Sequence, residues 1–158
     1  MLKAIRSTNR RASNHRFAIV ASKYNERYVG AMLSAAKAEL KRAGASQVTV
    51  VRVPGAFEIP VVAAHLARSQ APRYAAVICL GVILRGETTH AEHIGVAVSH
   101  ALARIQIESG TPVIHEVLLL ENAAQAEARC RSKTHNRGAE AARTALEMAH
   151  VMTTVDGR

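Results

Sequence analysis

Cys79-Leu-Gly-Val-Ile-Leu-Arg85-Gly-Glu-Thr-Thr-His90 decides the fold of this chain. The apolar run that leads into it, residues 75–84, predicts a strand buried on both faces, as parallel strands are in α/β proteins. It empties into a polar turn, Arg85-Gly86-Glu87-Thr88-Thr89-His90, and a helical pattern over residues 90–109 follows at once. A strand end, a glycine, small hydroxyl side chains and a helix N-terminus make an anion pocket. Free backbone N–H groups and the positive end of the helix dipole converge there. His90 stands at the same mouth, and an imidazole is the side chain best suited to moving protons near neutral pH.

Working outward, residues 16–22 (RFAIVAS) read as a short apolar strand left through Lys23-Tyr24-Asn25-Glu26. Val29, Met32, Leu33, Ala36 and Leu40 fall at helical spacing and predict a helix over residues 28–43, capped by Gly44. Residues 47–53 (QVTVVRV) are β-branched and strand-like. Pro54-Gly55-Ala56-Phe57-Glu58 breaks that strand, and residues 59–69 resume a helical pattern whose first turn tolerates Pro60. Beyond the central strand and helix, Gly110 ends the helix and residues 112–120 (PVIHEVLLL) form a fourth strand. Residues 122–131 and 138–152 are two helices around a polar kink at 132–137, and residues 153–158 read as a frayed tail.

The order β-α-β-α-β-α-β-α-α means a parallel sheet with right-handed crossovers and helices on both faces. Functional groups then gather beyond the carboxyl ends of the strands. Four polar exits fit that rule: Tyr24-Asn25, residues 55–58, residues 85–90, and the end of the fourth strand.

The 158 residues suit one domain over residues 16–152, preceded by a flexible basic arm at 1–15. Hydrophobic residues at 49% and charged residues at 21% are the balance of a soluble globular protein. No apolar run approaches the roughly 20 residues of a membrane span. The N-terminus has no secretory stretch, so a cytoplasmic location is expected, with Cys79 and Cys130 as reduced thiols. The net charge is +9, and Lys3, Arg6, Arg10, Arg11 and Arg16 lie in a leading arm that holds no acid. A nucleic-acid arm competes here with a solvated tail or an extension laid on a neighbouring subunit. With two phenylalanines, three tyrosines and no tryptophan, stacking platforms for bases are scarce. A basic body also suits anionic small substrates, so nucleic acid is not the expected partner.

His90-Ala-Glu92-His93 invites a metal reading, but two histidines without a third ligand at a recognisable spacing do not make a metal site. Gly86-Glu-Thr-Thr lacks the lysine of a nucleotide-triphosphate loop, and Gly81 with Gly86 does not form a dinucleotide fingerprint. A lone phosphate is the better ligand for this turn. Glu58 reads either as a carboxylate complementing a helix dipole or as an acceptor for substrate hydroxyls and amines. Arg129 and Arg137 are helix-surface cations unless one faces the central mouth, where it becomes a phosphate clamp.

Val53-Pro-Gly-Ala-Phe-Glu-Ile-Pro60, Leu80-Gly-Val-Ile-Leu-Arg-Gly-Glu-Thr-Thr-His90, Glu121-Asn with Gln125-Ala, and Asn136-Arg-Gly with Glu140-Ala-Ala together resemble the lumazine synthase family. The likeness runs in order over residues 16–152, and the first two motifs are long and specific. It implies a flavodoxin-like three-layer αβα sandwich around a four-stranded parallel sheet. It also implies condensation of 5-amino-6-(D-ribitylamino)uracil with 3,4-dihydroxy-2-butanone 4-phosphate, the penultimate step of riboflavin biosynthesis. The family needs no metal or organic cofactor. It works as pentamers, some paired into decamers or closed into capsids, with each site between adjacent subunits.

Carried over residue by residue, the resemblance places Tyr24 against the pyrimidine ring, with Asn25 touching the same substrate. Ala56, Phe57 and Glu58 would hold the ribityl chain, and Val82 and Ile83 would line the ring pocket. Gly86, Glu87, Thr88 and Thr89 match the phosphate turn, His90 the proton-transfer histidine, and Arg129 a phosphate-binding arginine from the neighbouring subunit. Arg137 stands where lysine is usual, and Glu140 at an acidic position near the histidine; both count with the substrate-binding residues. His115 replaces the aromatic wall that the fourth strand usually lends to a neighbour's pocket. Members with this aromatic changed include decamers, which points this chain the same way. A second reading, a flavin- or lumazine-binding homologue with little catalysis, stays open because of His115. His90, Arg129 and the phosphate turn favour the enzyme.

Overall fold

The computed structural model describes residue 12 and residues 14–157. Four strands, β1 (Arg16–Ser22), β2 (Gln47–Val53), β3 (Ala76–Leu84) and β4 (Val113–Leu120), form one parallel sheet in the order β2-β1-β3-β4. The helices are α1 (Glu26–Arg42), α2 (Ile59–Ala67), α3 (His90–Ser109), α4 (Ala123–Cys130) and α5 (Arg137–Val155). The expected α/β class and three-layer arrangement hold.

Period-two alternation feeds both faces of the sheet. Along β1, Phe17, Ile19 and Ala21 enter a core with Met32 and Leu40 of α1 and Ala145 of α5. Ala18 and Val20 enter the opposite core with Ile59 of α2 and Val98 and Leu102 of α3. β3 is central, and its first seven residues are buried, as its unbroken apolar run requires. Each large aliphatic side chain so buried stabilises the fold by about 1.5–3 kcal/mol.

The ends of the elements follow local chemistry. α1 begins at Glu26, two residues before the expected Tyr28, because Asn25 takes a left-handed turn (φ 58°) that a short polar side chain tolerates. Gly44, also left-handed at φ +78°, follows the last turn of α1, where the Ala45 N–H donates to the Leu40 carbonyl at 3.1 Å. Glu58 closes a short 3-10 turn, Ala56–Glu58, directly before α2 rather than opening that helix. Asn122 caps α4 by accepting from Gln125 N–H at 3.0 Å, and Asn136 caps α5 by accepting from Gly138 N–H at 2.8 Å. α5 continues through Val155, so residues 153–155 are the last turn of a helix and not part of a frayed tail. A Cβ on Gly138 would lie 2.0 Å from the Met32 carbonyl oxygen, so α5 crosses α1 backbone against backbone.

Lys3, Arg6, Arg10 and Arg11 of the expected arm lie outside the described residues. Ala12 is buried, and its N–H donates to the Ala43 carbonyl at 2.8 Å. Among the described residues, no helix is long and apolar enough to cross a membrane.

Candidate active site

The carboxyl ends of β1, β2 and β3 and the N-terminus of α3 enclose a cleft of about 530 Å³. Tyr24, Asn25, Ala56, Phe57, Glu58, Val82, Ile83, Gly86, Thr88 and His90 all line it. Glu87 and Thr89 stand exposed in the same turn. Gly55, Leu84, Ala91 and Ile94 complete the lining; the last three, as apolar neighbours of polar motif residues, carried no distinguishing signal in the sequence.

Three crossovers converge here because every strand of a parallel sheet ends on one side. Asn25 Nδ2 donates to the Val82 carbonyl at 2.8 Å, so its amide ties the exit of β1 to the wall formed by β3. The side-chain oxygen of Asn25 and its second Nδ2–H are left for a ligand. Glu58 accepts the Gly55 N–H at 2.8 Å, which fixes the carboxylate across the turn. A Cβ on Gly55 would lie 2.8 Å from that carboxylate oxygen and 3.0 Å from the Tyr24 ring, so glycine is what allows the three to meet.

Of five aromatic residues in the chain, the two most exposed stand at this mouth: Tyr24 is 70% and Phe57 58% accessible. Paired exposed rings beside a cleft mark a surface that something covers. The turn Arg85–Thr89 forms the opposite rim. The Arg85 guanidinium reaches Glu92 at 2.7 Å and Glu121 at 2.9 Å. Those hydrogen bonds hold it more firmly protonated than usual and commit its charge to the rim. His90 is the first residue of α3 and is exposed, with its N–H 3.4 Å from Thr88 Oγ1. Anions are favoured at such a helix N-terminus.

The remaining four candidates lie elsewhere. His115 is exposed on β4, which stands at the edge of the sheet and among the described residues pairs only with β3. Its Nε2 is 2.8 Å from Ser99 Oγ, and that hydroxyl donates to the Gly95 carbonyl at 2.7 Å. Since the hydroxyl proton is used on Gly95, the imidazole donates from Nε2. Arg129 is exposed at the end of α4, and no hydrogen bond or ion pair joins its side chain to another described residue. Arg137 and Glu140 occupy the first turn of α5, with Arg137 Nη1 donating to Glu140 Oε2 at 2.7 Å. None of the four lines the cleft of its own chain.

Glu116 belongs to this second group and was missed in the sequence. It is 4% exposed and accepts from Arg137 Nε at 2.6 Å. Burial pushes its carboxyl above the usual range, against the charge and hydrogen bond of Arg137. A lone acid inside PVIHEVLLL was the available signal, since buried carboxylates are rare unless paired.

Both cysteines are free and buried. Burial raises the Cys79 thiol far above its ordinary value and the Cys130 thiol to about 11. Neither is a nucleophile at neutral pH.

Thus one chain carries a cleft with a ring wall, a polar end and a phosphate-suited turn, and a separate basic corner beside the edge strand β4. A family model for 6,7-dimethyl-8-ribityllumazine synthase matches residues 14–153. The 6,7-dimethyl-8-ribityllumazine synthase of Stenotrophomonas maltophilia (strain R551-3) is 40% identical over 139 residues, which is 87% of this chain and 88% of that protein. The match spans every strand and helix that shapes the cleft and the corner, and the chain belongs to the 6,7-dimethyl-8-ribityllumazine synthase family.

Proposed function

We propose that the cleft of one copy and the β4 corner of a neighbouring copy together make the site. The reaction itself is the family's. 5-Amino-6-(D-ribitylamino)uracil and 3,4-dihydroxy-2-butanone 4-phosphate condense to 6,7-dimethyl-8-ribityllumazine, phosphate and water in the penultimate step of riboflavin biosynthesis, so the chain is a transferase. The observation that carries the two-copy reading is the split within one chain. Exposed rings and the phosphate-suited turn line one cleft, while Arg129, with no hydrogen bond or ion pair to a described residue, stands apart from it.

In this reading Tyr24 and Phe57 flank the pyrimidine and ribityl groups, and Val82 and Ile83 form the wall beneath the ring. Glu58 and the free oxygen of Asn25 receive hydroxyl and amine protons. The phosphate group rests on the turn at residues 86–89, and a neighbour's Arg129 closes over it. His115, Arg137 and Glu140 form the neighbour's side of the pocket.

An amine of the pyrimidine attacks the ketone and loses water to give an imine. Phosphate is then eliminated, the enol left behind becomes a ketone, and the ribitylamine nitrogen attacks it and closes the ring with loss of a second water. No step needs a protein nucleophile, so holding two substrates in line supplies most of the acceleration. His90 shuttles protons at the α3 N-terminus. Homo-pentamers, paired into decamers, are the assembly this reading expects. A cytoplasmic location fits the two free thiols.

The test is steady-state formation of the lumazine chromophore from the two purified substrates in chelator-treated buffer. Turnover should survive chelation. Arg129→Ala should raise the KM of the butanone phosphate at least tenfold, about 1.4 kcal/mol of lost binding. No turnover with flavin or ribityl-pyrimidine still bound would replace this reading with that of a binding homologue.

A further inference from the structure

The corner around Arg137 holds an arrangement that stability alone does not call for. Arg137 is the first residue of α5, where the positive end of the helix dipole disfavours a cation. Two carboxylates keep it there. Glu116 accepts its Nε–H at 2.6 Å and Glu140 its Nη1–H at 2.7 Å. Glu116 is buried in the sheet, and an apolar residue in its place would avoid the desolvation that an ionised carboxylate suffers there. Arg129 lies close enough to feel the same carboxylate but makes no hydrogen bond or ion pair of its own with a described residue. Two guanidiniums thus share one corner: one is neutralised from behind and the other is free.

We propose that Glu116 sets the anion affinity of this corner by holding, with Glu140, the charge of Arg137 inward, so that Arg129 is the cation that meets the substrate's phosphate. This deepens the two-copy reading above and rests on it. A guanidinium that gives Nε–H and one Nη1–H to two carboxylates keeps Nη2 available but has its charge offset, and is a poor second ligand for phosphate. Removing the negative charge of Glu116 while keeping its volume would return positive potential to the corner. One unit charge several ångströms away in a partly solvated site changes anion affinity by about three- to fivefold.

The experiment uses the full-length chain and three readouts: KM for the butanone phosphate, KM for the ribitylaminouracil, and competitive inhibition by inorganic phosphate. Glu116→Gln should lower the first and third constants about three- to fivefold and leave the second within about twofold. Adding Arg137→Gln to Glu116→Gln should reverse that gain. Arg129→Gln should raise the phosphate constants at least tenfold, and Arg137→Gln alone should weaken phosphate far less than Arg129→Gln does. Where Glu116→Gln does not fold, Glu140→Gln removes the other carboxylate from the more accessible side and should shift the constants the same way.

A rise or no change in phosphate KM on Glu116→Gln would overturn the proposal. So would both substrates' KM values moving together, or Arg137→Gln matching Arg129→Gln. Failure of the underlying reading is distinguishable, since the wild-type chain would then form no lumazine. Calorimetric titration with inorganic phosphate would in that case still read the effect of Glu116.

Discussion

The cavity at the carboxyl ends of the strands and the one at their amino ends are nearly equal in volume, about 530 and 520 Å³. Their linings differ in kind. The carboxyl end receives the N-terminus of α3, exposed aromatic rings and a glycine-containing turn. The amino end is walled by Gly110 at the close of α3 and by Met152, Thr153 and Asp156 at the close of α5, with His15, Arg16 and Arg73 around them. Helix starts attract anions and helix ends do not. Chain direction, not cavity size, therefore decides which end does chemistry.

The sharpest way to break this contrast is to disturb the crossing that sets the carboxyl-end corner. Gly138→Ala would drive a Cβ into the Met32 backbone at 2.0 Å. It should cost about 3 kcal/mol or more in a urea melt and displace Arg137 and Glu140 with it. In the proposed reaction, His90→Ala removes the proton shuttle and leaves the packing intact. It should lower kcat roughly 100-fold without abolishing turnover and leave the melting temperature within a degree or two, as steady-state kinetics and calorimetry would show.

Acid titration sharpens the contrast between the two ion clusters. Burial works against the charge of Glu39, but the hydrogen bonds and charges of Arg143 and Arg42 outweigh it and hold its carboxyl below the ordinary glutamate value of about 4.5. Its contribution is present above that unfolded value and is lost as pH falls through the folded one. Glu39→Gln should thus cost about 1 kcal/mol at pH 7 and flatten the loss of stability below about pH 4.5, read from urea melts across that range. Glu116 runs the other way. Burial raises its carboxyl above 4.5, so its contribution is present below that value and lost as pH rises through the folded one.

The smallest effect is expected at the amino end. Tyr74→Phe there removes a 3.1 Å hydrogen bond to Thr49 Oγ1. It should cost about 1 kcal/mol of stability or less and leave both KM values and kcat unchanged. A kinetic defect in that variant would mean that the two ends are coupled.

Much of the architecture was legible from residues. Helix α3 has the bounds His90–Ser109 that its periodicity predicts, because Thr89 and Gly110 frame an unbroken helical pattern. α1 started earlier than its apolar spacing suggested, since a polar first turn contributes nothing to periodicity. α5 ran past residue 152, and within that last turn Thr153 and Thr154 satisfy their hydroxyls on the carbonyls of Ala149 and His150. Of the candidate site, the motif residues on the first three strand exits met in one cleft, as parallel strands ending on one side require. Glu116 went unread because a strand pattern says which face a residue occupies but not what partner makes its burial tolerable.

The sequence by itself determined the alternation of strands and helices, the doubly buried central strand and the polar exits that become a site, since these depend on periodicity and turn chemistry within a few residues of each position. Only the tertiary structure decided the rest. It separated His115, Arg129, Arg137 and Glu140 from the cleft, spent one amide N–H of Asn25 on Val82, and joined Glu116 to Arg137 across 21 residues of chain. Those outcomes are set by distances between groups that the chain brings together only when the sheet and its two helical layers close.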